Sequence, residues 1–379
     1  MATPKLRFKE FGGDWELDLL GNLVQIKSGY SPSKYELDKS GEMPFLKVEE
    51  LNNCDKYQEY SRFYTERNSD AVPSKSVVFP KRGAAILNNK VRILRVDALL
   101  DSNLMALIPQ HSLDAEYLYY LINKIELYKI ADTSTIPQIN NKHIEPYSIY
   151  LPSKEEQTKI ASFLSNVDEK ISQLTQKHEL LSQYKQGMMQ KLFSQQIRFK
   201  ADDGSEFGEW EEKELYQIFQ IKAGGDIDKD SVSEVKTSEF CYPIFANSDK
   251  NKGFYGWANK FKYTEAVTVT GRGNLGVAVA RNKPFYPIVR LLVLLPLIKQ
   301  NLKFFEEQIN LLDIVSESTG VPQLTAPQLS KYKVYVPSFE EQTKIANFLS
   351  SIDQKIEVAA QQIEQAKQWK KGLLQQMFI

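Results

Sequence analysis

Between Ala71 and Val96 the sequence places six basic residues, Lys75, Lys81, Arg82, Lys90, Arg92 and Arg95, and no acidic one. Between Ile244 and Lys303 ten basic residues face only Asp249 and Glu265. Glycine and asparagine interleave with these charges in PKRGAAILNNK (Pro80 to Lys90), FANSDKNKG (Phe245 to Gly253) and GRGNLG (Gly271 to Gly276). Such loops suit a polyanion: Lys and Arg neutralise phosphates, an Arg fork matches a guanine edge, and the amide of Asn or Gln matches adenine. The residues placed to make these contacts are Lys81, Arg82, Asn88, Asn89, Lys90 and Arg92 in the first stretch, and Asn247, Lys250, Lys252, Arg272, Asn274 and Arg281 in the second. For the lysines, phosphate is the more natural partner. Ordinary turn chemistry accounts equally well for any single residue, and less well for the loops as groups. Recurrence in two places favours a pair of sites on one phosphate backbone. The chain total is silent on this, because Lys+Arg and Asp+Glu both number 48.

GRGNLG is formally the glycine pattern of a dinucleotide-binding turn. That chemistry requires a helix after the glycines and an acidic residue about twenty positions on. Here VAVA follows, a β-like run, and no acidic residue occurs until Glu306. Other catalytic constellations are missing: no Walker A, no HExxH, no GxSxG and no Asp/Asn-Pro-Pro-aromatic segment. The three histidines, His111, His143 and His178, have no obvious partners, and Cys54 and Cys241 lack zinc-ligand spacing. The sequence therefore predicts no catalytic residues and no metal site. Sparse cysteine predicts a reduced, cytoplasmic protein. The most apolar run, Ile288 to Ile298, contains Arg290 and Pro296 and is too short to span a bilayer, and the N-terminus MATPKLRFKEFGGDW has no signal-like apolar stretch.

The elements that must position these loops follow from a repeat. YLPSKEEQTKIASFLSNVDEKISQLTQKHELLSQYKQGMMQKLF, starting at Tyr150, recurs as YVPSFEEQTKIANFLSSIDQKIEVAAQQIEQAKQWKKGLLQQMF, starting at Tyr335, with about half of the positions identical. TSTIPQI (Thr133 to Ile139) answers STGVPQL (Ser318 to Leu324), and RFKEFGGDWE (Arg7 to Glu16) answers RFKADDGSEFGEWE (Arg198 to Glu211). The 379 residues are thus two copies of one unit, a duplicated domain and not a short-period solenoid.

Within the long repeated segment, apolar positions recur at steps of four, three or their sum, seven: Ile160, Leu164, Ile171 and Leu174 in the first copy, Ile345, Leu349, Ile356 and Ile363 in the second. This is a heptad seam. Each segment opens with Ser153 or Ser338 three residues before Glu156 or Glu341, a capping-box entry. First-turn carboxylates are accounted for by capping and the helix dipole. About thirty-eight residues make a helix of roughly 57 Å. A pseudo-dyad between the halves predicts antiparallel pairing. Lys185 and Lys370, at equivalent seam positions, either fix register or snorkel at frayed ends, and the nearby Gly187 and Gly372 favour fraying.

Before each helix the pattern is mixed: β-rich runs SVVFP (Ser76 to Pro80), KVRILRV (Lys90 to Val96) and EAVTVT (Glu265 to Thr270), and one shorter helix per half, Asp114 to Glu126 and about Lys299 to Leu312. The expected fold is α+β (mixed α/β), with two tandem pseudo-symmetric globular domains, each followed by a long helix. The boundaries are a first globular domain 1–150, a helix 151–196, a second domain 197–335 and a helix 336–379.

Two variable halves, each followed by a helix opening PSxEEQxKIAxFLSxxD, resemble the specificity subunits of type I restriction-modification systems over the whole chain. The resemblance implies target recognition domains that each read half of a bipartite double-stranded DNA site. The antiparallel coiled coil fixes the gap between half-sites. It also docks two methyltransferase subunits that use S-adenosylmethionine for N6-adenine methylation. Motor-nuclease subunits using ATP and Mg join where present; no cofactor is bound by this chain. The eight seam residues named above then belong to partner-binding helices, and Ser134, Gln138, Ser318 and Gln323, in the two answering loops, lie near DNA. The alternative is a coiled-coil protein-interaction scaffold without DNA recognition.

Overall fold

The alternating apolar runs of each half form a sheet whose two faces are both covered. The computed structural model describes residues 2–315 and 323–379, and the chain falls into two compact units, Met1–Gln176 with Ala360–Ile379, and Lys177–Ala359. The units are not consecutive stretches, because each long helix contributes to both.

In the first unit the strands run in the order Val24–Ser28, Leu104–Pro109, Val77–Pro80, Arg92–Leu94 and Tyr57–Gln58, antiparallel except for the last pair. Val77, Phe79, Ile93, Met105 and Leu107 face the helix Ala115–Ile125, while Val78, Leu94, Leu104 and Ala106 face a second cluster around Leu46, Leu51 and Leu100. Burial on both faces is why VVFP reads as an unbroken apolar run. The helix starts where Asp114 accepts the N–H groups of Glu116 and Tyr117 at 2.9 and 3.0 Å, an N-cap. Its Tyr117 and Tyr120 are fully buried.

The second unit repeats this order with Phe219–Ala223, Leu292–Pro296, Ala266–Val269 and Ala278–Arg281, all antiparallel. Asn301 caps the helix Leu302–Ile309, whose Phe304 and Phe305 fill the core. In each unit a two-stranded ribbon, Glu16–Leu19 with Ser148–Leu151 or Glu211–Glu214 with Lys333–Val336, ties the segment ahead of the sheet to the residues just ahead of a long helix.

The long helices span Lys154–Phe193 and Phe339–Met377. Their first-turn glutamates do more than the capping account predicts. Ser153 and Ser338 do accept the N–H of Glu156 and Glu341, each at 3.3 Å. The two carboxylates, however, turn inward and receive arginine forks: Arg7 reaches Glu156 at 2.8 and 2.8 Å, and Arg198 reaches Glu341 at 3.0 and 2.8 Å. Both glutamates are buried, and Glu341 also accepts the Trp210 indole N–H at 3.0 Å. The next residue extends the clamp. Gln157 accepts the Asp114 N–H at 2.8 Å and Gln342 accepts the Asn301 N–H at 2.9 Å, so each long helix grips the N-cap residue of the shorter helix.

Pairing of the long helices is antiparallel. In the first unit Ile160, Leu164 and Val167 share a core with Leu373, Met377 and Phe378, the start of one helix against the end of the other. In the second unit Met189 and Leu192 pack with Ile345, Leu349 and Ile352. Most seam residues expected to bind a partner are therefore covered within the chain: Ile160, Leu164, Leu174, Ile345 and Leu349 are buried, Ile171 and Ile356 pack half-buried against the cores, and Ile363 is half-buried.

Fraying at the seam lysines is also corrected. Lys185 pairs with Asp353 at 2.7 Å and with buried Glu307 at 2.8 Å, and its counterpart Lys370 pairs with Asp168 at 2.5 Å. Asp168 further accepts the buried Tyr120 hydroxyl at 2.7 Å. The same Lys–Asp pair thus fixes register once in each unit.

Two outcomes follow. Arg198→Met strands the Glu341 carboxylate in the core, which should lower unfolding stability by about 3 kcal/mol; a change under about 0.5 kcal/mol in thermal or denaturant unfolding would show the fork to be dispensable. Burial opposes ionisation of Asp353, but the hydrogen bond from Lys185 and the charge of Lys303 outweigh it and hold the carboxyl below its ordinary value. Its contribution is accordingly present above about pH 4 and lost as pH falls through the lower folded value. Between pH 6 and pH 3 the unfolding midpoint should drop further in the wild type than in Asp353→Asn, and parallel profiles would contradict this.

Candidate nucleic-acid interface

Strand Val77–Pro80 delivers Lys81, Arg82 and Gly83 to the end of the first unit's sheet. Arg82 there forms an antiparallel bridge with Gln138. Ile139 N–H donates to the Lys81 carbonyl and Gly83 N–H to the Pro137 carbonyl, each at 2.8 Å. Gly83 sits at φ +86°, where a side chain would be strained, and the chain then enters the short turn Ala84–Ile86. The basic loop and the TIPQI segment, distant in sequence, are one site.

The second unit builds the same site. After Ala266–Val269, Arg272 bridges Gln323, and Leu324 N–H donates to the Gly271 carbonyl at 2.9 Å. Asn247 grips the loop, accepting the Gly271 N–H at 2.6 Å and donating to the Arg272 carbonyl at 3.0 Å. The guanidinium groups of Arg272 and Arg290 both approach the side-chain oxygen of Gln323, at 3.4 and 3.5 Å. Among the described residues neither arginine, nor Arg82, meets a carboxylate. Two cations held together without a counter-charge form an anion site, and the pairing of arginine with glutamine offers a nucleic acid both a phosphate partner and a base partner. Beyond Gly276 the chain enters the strand Ala278–Arg281, so the glycine loop joins two antiparallel strands.

A family model described as Type I restriction modification DNA specificity domain matches residues 12–183 and, a second time, 208–368. The chain belongs to this family. Among curated relatives, the MjaVIII specificity subunit of Methanocaldococcus jannaschii is 25% identical over 97% of this chain and 94% of its own length. A Mycoplasma pneumoniae protein named as a type I specificity subunit is 29% identical over 63% of this chain and 64% of its own length. Among solved structures, the type I restriction-modification S subunit from M. genitalium covers 100% of this chain and 99% of that one, with a TM-score of 0.66 at 19% identity. A chain from another type I system covers 95% and 96%, with a TM-score of 0.58 at 14% identity. These two likenesses concern the fold.

Several residues expected to face DNA are instead turned into the fold of this specificity subunit. Arg281 is buried; it donates to the Thr268 hydroxyl at 3.0 Å and the Lys252 carbonyl at 2.5 Å, and lies 3.5 Å from the centre of the Phe245 ring. Burial pulls its guanidinium down to about 10 against the opposing charge of Glu306. Asn89 closes the end of the Ala115–Ile125 helix, donating to the Asn123 carbonyl at 3.2 Å and accepting the Leu127 N–H at 2.9 Å. Arg92 turns beside Cys54 and donates to the Val91 carbonyl at 2.7 Å. Asn247 positions the loop as described.

Others stand at the surface. Asn88, Ser134, Lys250, Lys252 and Asn274 are exposed, Asn274 donating to Asp249 at 3.2 Å. Lys90 is half-buried against Asn52. Lys81 is half-buried as well, and burial lowers its ammonium pKa. Ser318 lies outside the described residues. Arg290 stands exposed beside Gln323 as well, although in the sequence its charge only interrupts the apolar run Ile288–Ile298. Among the described residues no group of His, Cys, Asp and Glu is arranged to hold a metal, and no helix is long and apolar enough to cross a membrane.

Arg281→Ala should destabilise the chain by about 1–3 kcal/mol, since it orphans the Lys252 carbonyl and empties the space over Phe245. Unfolding measurements check this, and a variant of unchanged stability with altered DNA affinity would return Arg281 to the interface.

Proposed function

We propose that this chain is the address-reading subunit of a type I restriction-modification assembly, that each unit reads one half of a bipartite double-stranded DNA target, and that the chain performs no catalysis. The observation that carries the reading is the repeated site: an arginine bridged to a glutamine, Arg82 with Gln138 and Arg272 with Gln323, at the same place on the same strand order in both units. One such loop would be ordinary. Two on a duplicated frame suit a ligand that repeats, and a phosphate backbone does.

Arg82 and Arg272 supply the charge, and their loops set the position of the unit on the duplex. The 40-residue first helix is about 60 Å long and serves as the ruler that fixes the gap between half-sites. With its seam filled, the helix pair offers its outer faces to two methyltransferase subunits. Those subunits hold S-adenosylmethionine and methylate adenine N6 after extruding the base; motor-nuclease subunits, where present, use ATP and Mg. The assembly acts on cytoplasmic DNA. This chain supplies binding and orientation only.

Co-expression with the methyltransferase subunit from the same locus, in a host without methylation, should create one bipartite N6-methyladenine motif with a fixed gap. A well-formed complex that leaves host DNA unmethylated would contradict the reading. For that complex, Arg82→Ala should weaken DNA binding similarly across sequences and reduce the slope of log affinity against log salt by about 1.

A further inference from the structure

The duplication allows what the units share to be separated from what each has alone. Shared are the strand order and the Arg–Gln bridge. The turn beside the bridge is placed alike in both, yet its chemistry differs. In the first unit it is Asp101-Ser102-Asn103: Asp101 bridges Tyr30 in parallel, and the Asn103 carbonyl accepts the Lys81 N–H at 2.8 Å. Asp101 satisfies the turn internally by accepting both the backbone and the side-chain N–H of Asn103, each at 2.8 Å. In the second unit it is Ile288-Val289-Arg290, where Ile288 bridges Gly225 in parallel and Arg290 N–H donates to the Gly224 carbonyl at 3.3 Å.

This second turn is held in a costly form. Val289 and Arg290 have φ of +42° and +59°, in the left-handed region that a β-branched residue rarely enters. Packing gives no return for it, since Val289 is 52% exposed. The conformation does bring the Arg290 guanidinium, exposed and without a carboxylate among the described residues, to 3.5 Å from the Gln323 oxygen that Arg272 also faces. Beside it lies an open, mostly apolar hollow of about 410 Å³, lined by Ala246, Tyr255, Arg272, Ile288 and Val289. Strained residues that serve no core cluster where a ligand is handled.

We propose that the turn Ile288–Arg290 is the specificity-determining element of the second unit, with Arg290 donating its fork to a guanine edge and the Tyr255–Val289 hollow receiving the apolar edge of the adjacent base. This rests on the DNA-reading function above and adds the residue that chooses the base. Arg272, present in both units as an arginine, holds the backbone. Arg290, whose counterpart is Asn103, distinguishes the half-sites.

The test is to co-express the wild type, Arg290→Ala and Arg290→Lys, each with its methyltransferase subunit, and to sequence N6-methyladenine in host DNA. Expected is a loss of discrimination of about ten- to a hundred-fold at one base position of one half-site, in both variants, with the other positions and the other half-site retained. Lysine keeps the charge and loses the fork, so its relaxation at the same position separates base reading from charge. An unchanged motif in both variants overturns the proposal, as does a uniform fall at every site with the sequence preference intact. Should Arg290→Ala fail to assemble, Arg290→Lys decides between the same outcomes. A wild-type complex without a motif overturns the DNA-reading function and this inference together, whereas a wild-type motif unaltered by either substitution overturns this inference alone.

Discussion

A buried carboxylate at the head of each long helix is the constraint on which the rest depends. A buried carboxylate is costly without a partner, and Glu156 and Glu341 each receive a planar arginine fork from the segment ahead of the ribbon, Arg7 or Arg198. The fork determines which stretch of chain lies against the helix start. The neighbouring glutamine then fixes the shorter helix, through the Asp114 or Asn301 N–H. One dipeptide, Glu-Gln, joins helix, ribbon and sheet in a single geometry. That is a physical reason for the same EEQ in both copies of the repeat.

From that anchor the helices run into each other's ends. Apolar seam positions supply attraction without direction, and the Lys–Asp pairs supply register, Lys370 with Asp168 in one unit and Lys185 with Asp353 in the other. Slippage by one heptad would bury unpaired charge. The pairs are linked to the cores as well, because Asp168 accepts the Tyr120 hydroxyl and Lys185 reaches buried Glu307. Burial and the bond to Asp168 push the Tyr120 hydroxyl far above its ordinary range, so it remains a donor at any physiological pH.

The interface occupies the sheet ends, where strands give way to loops and rigid backbone can hold exposed side chains. In the second unit Arg272 and Arg290 converge on Gln323 and lack carboxylate partners among the described residues, an arrangement that repels itself unless an anion is near. Framing and reading are divided. Asn247 spends both ends of its amide on the backbone of the glycine loop that carries Arg272.

The sequence by itself determined the duplication, the two long helices, the seam and its antiparallel sense, because repetition and heptad spacing are local patterns that survive divergence. It also marked the basic, glycine-rich loops as a charged site, since charge excess is visible residue by residue. Only the tertiary structure decided which of those residues face outward. Arg281, Asn89 and Asn247 have the same side chains as surface readers, yet long-range contacts with Thr268, Leu127 and Gly271 turn them inward. Likewise Lys185 and Lys370 carry no sign of their partners 168 and 202 residues away, and Arg290 no sign of Gln323. Hydrogen bonds and ion pairs between distant segments have no period in the sequence; they exist only once the chain has closed.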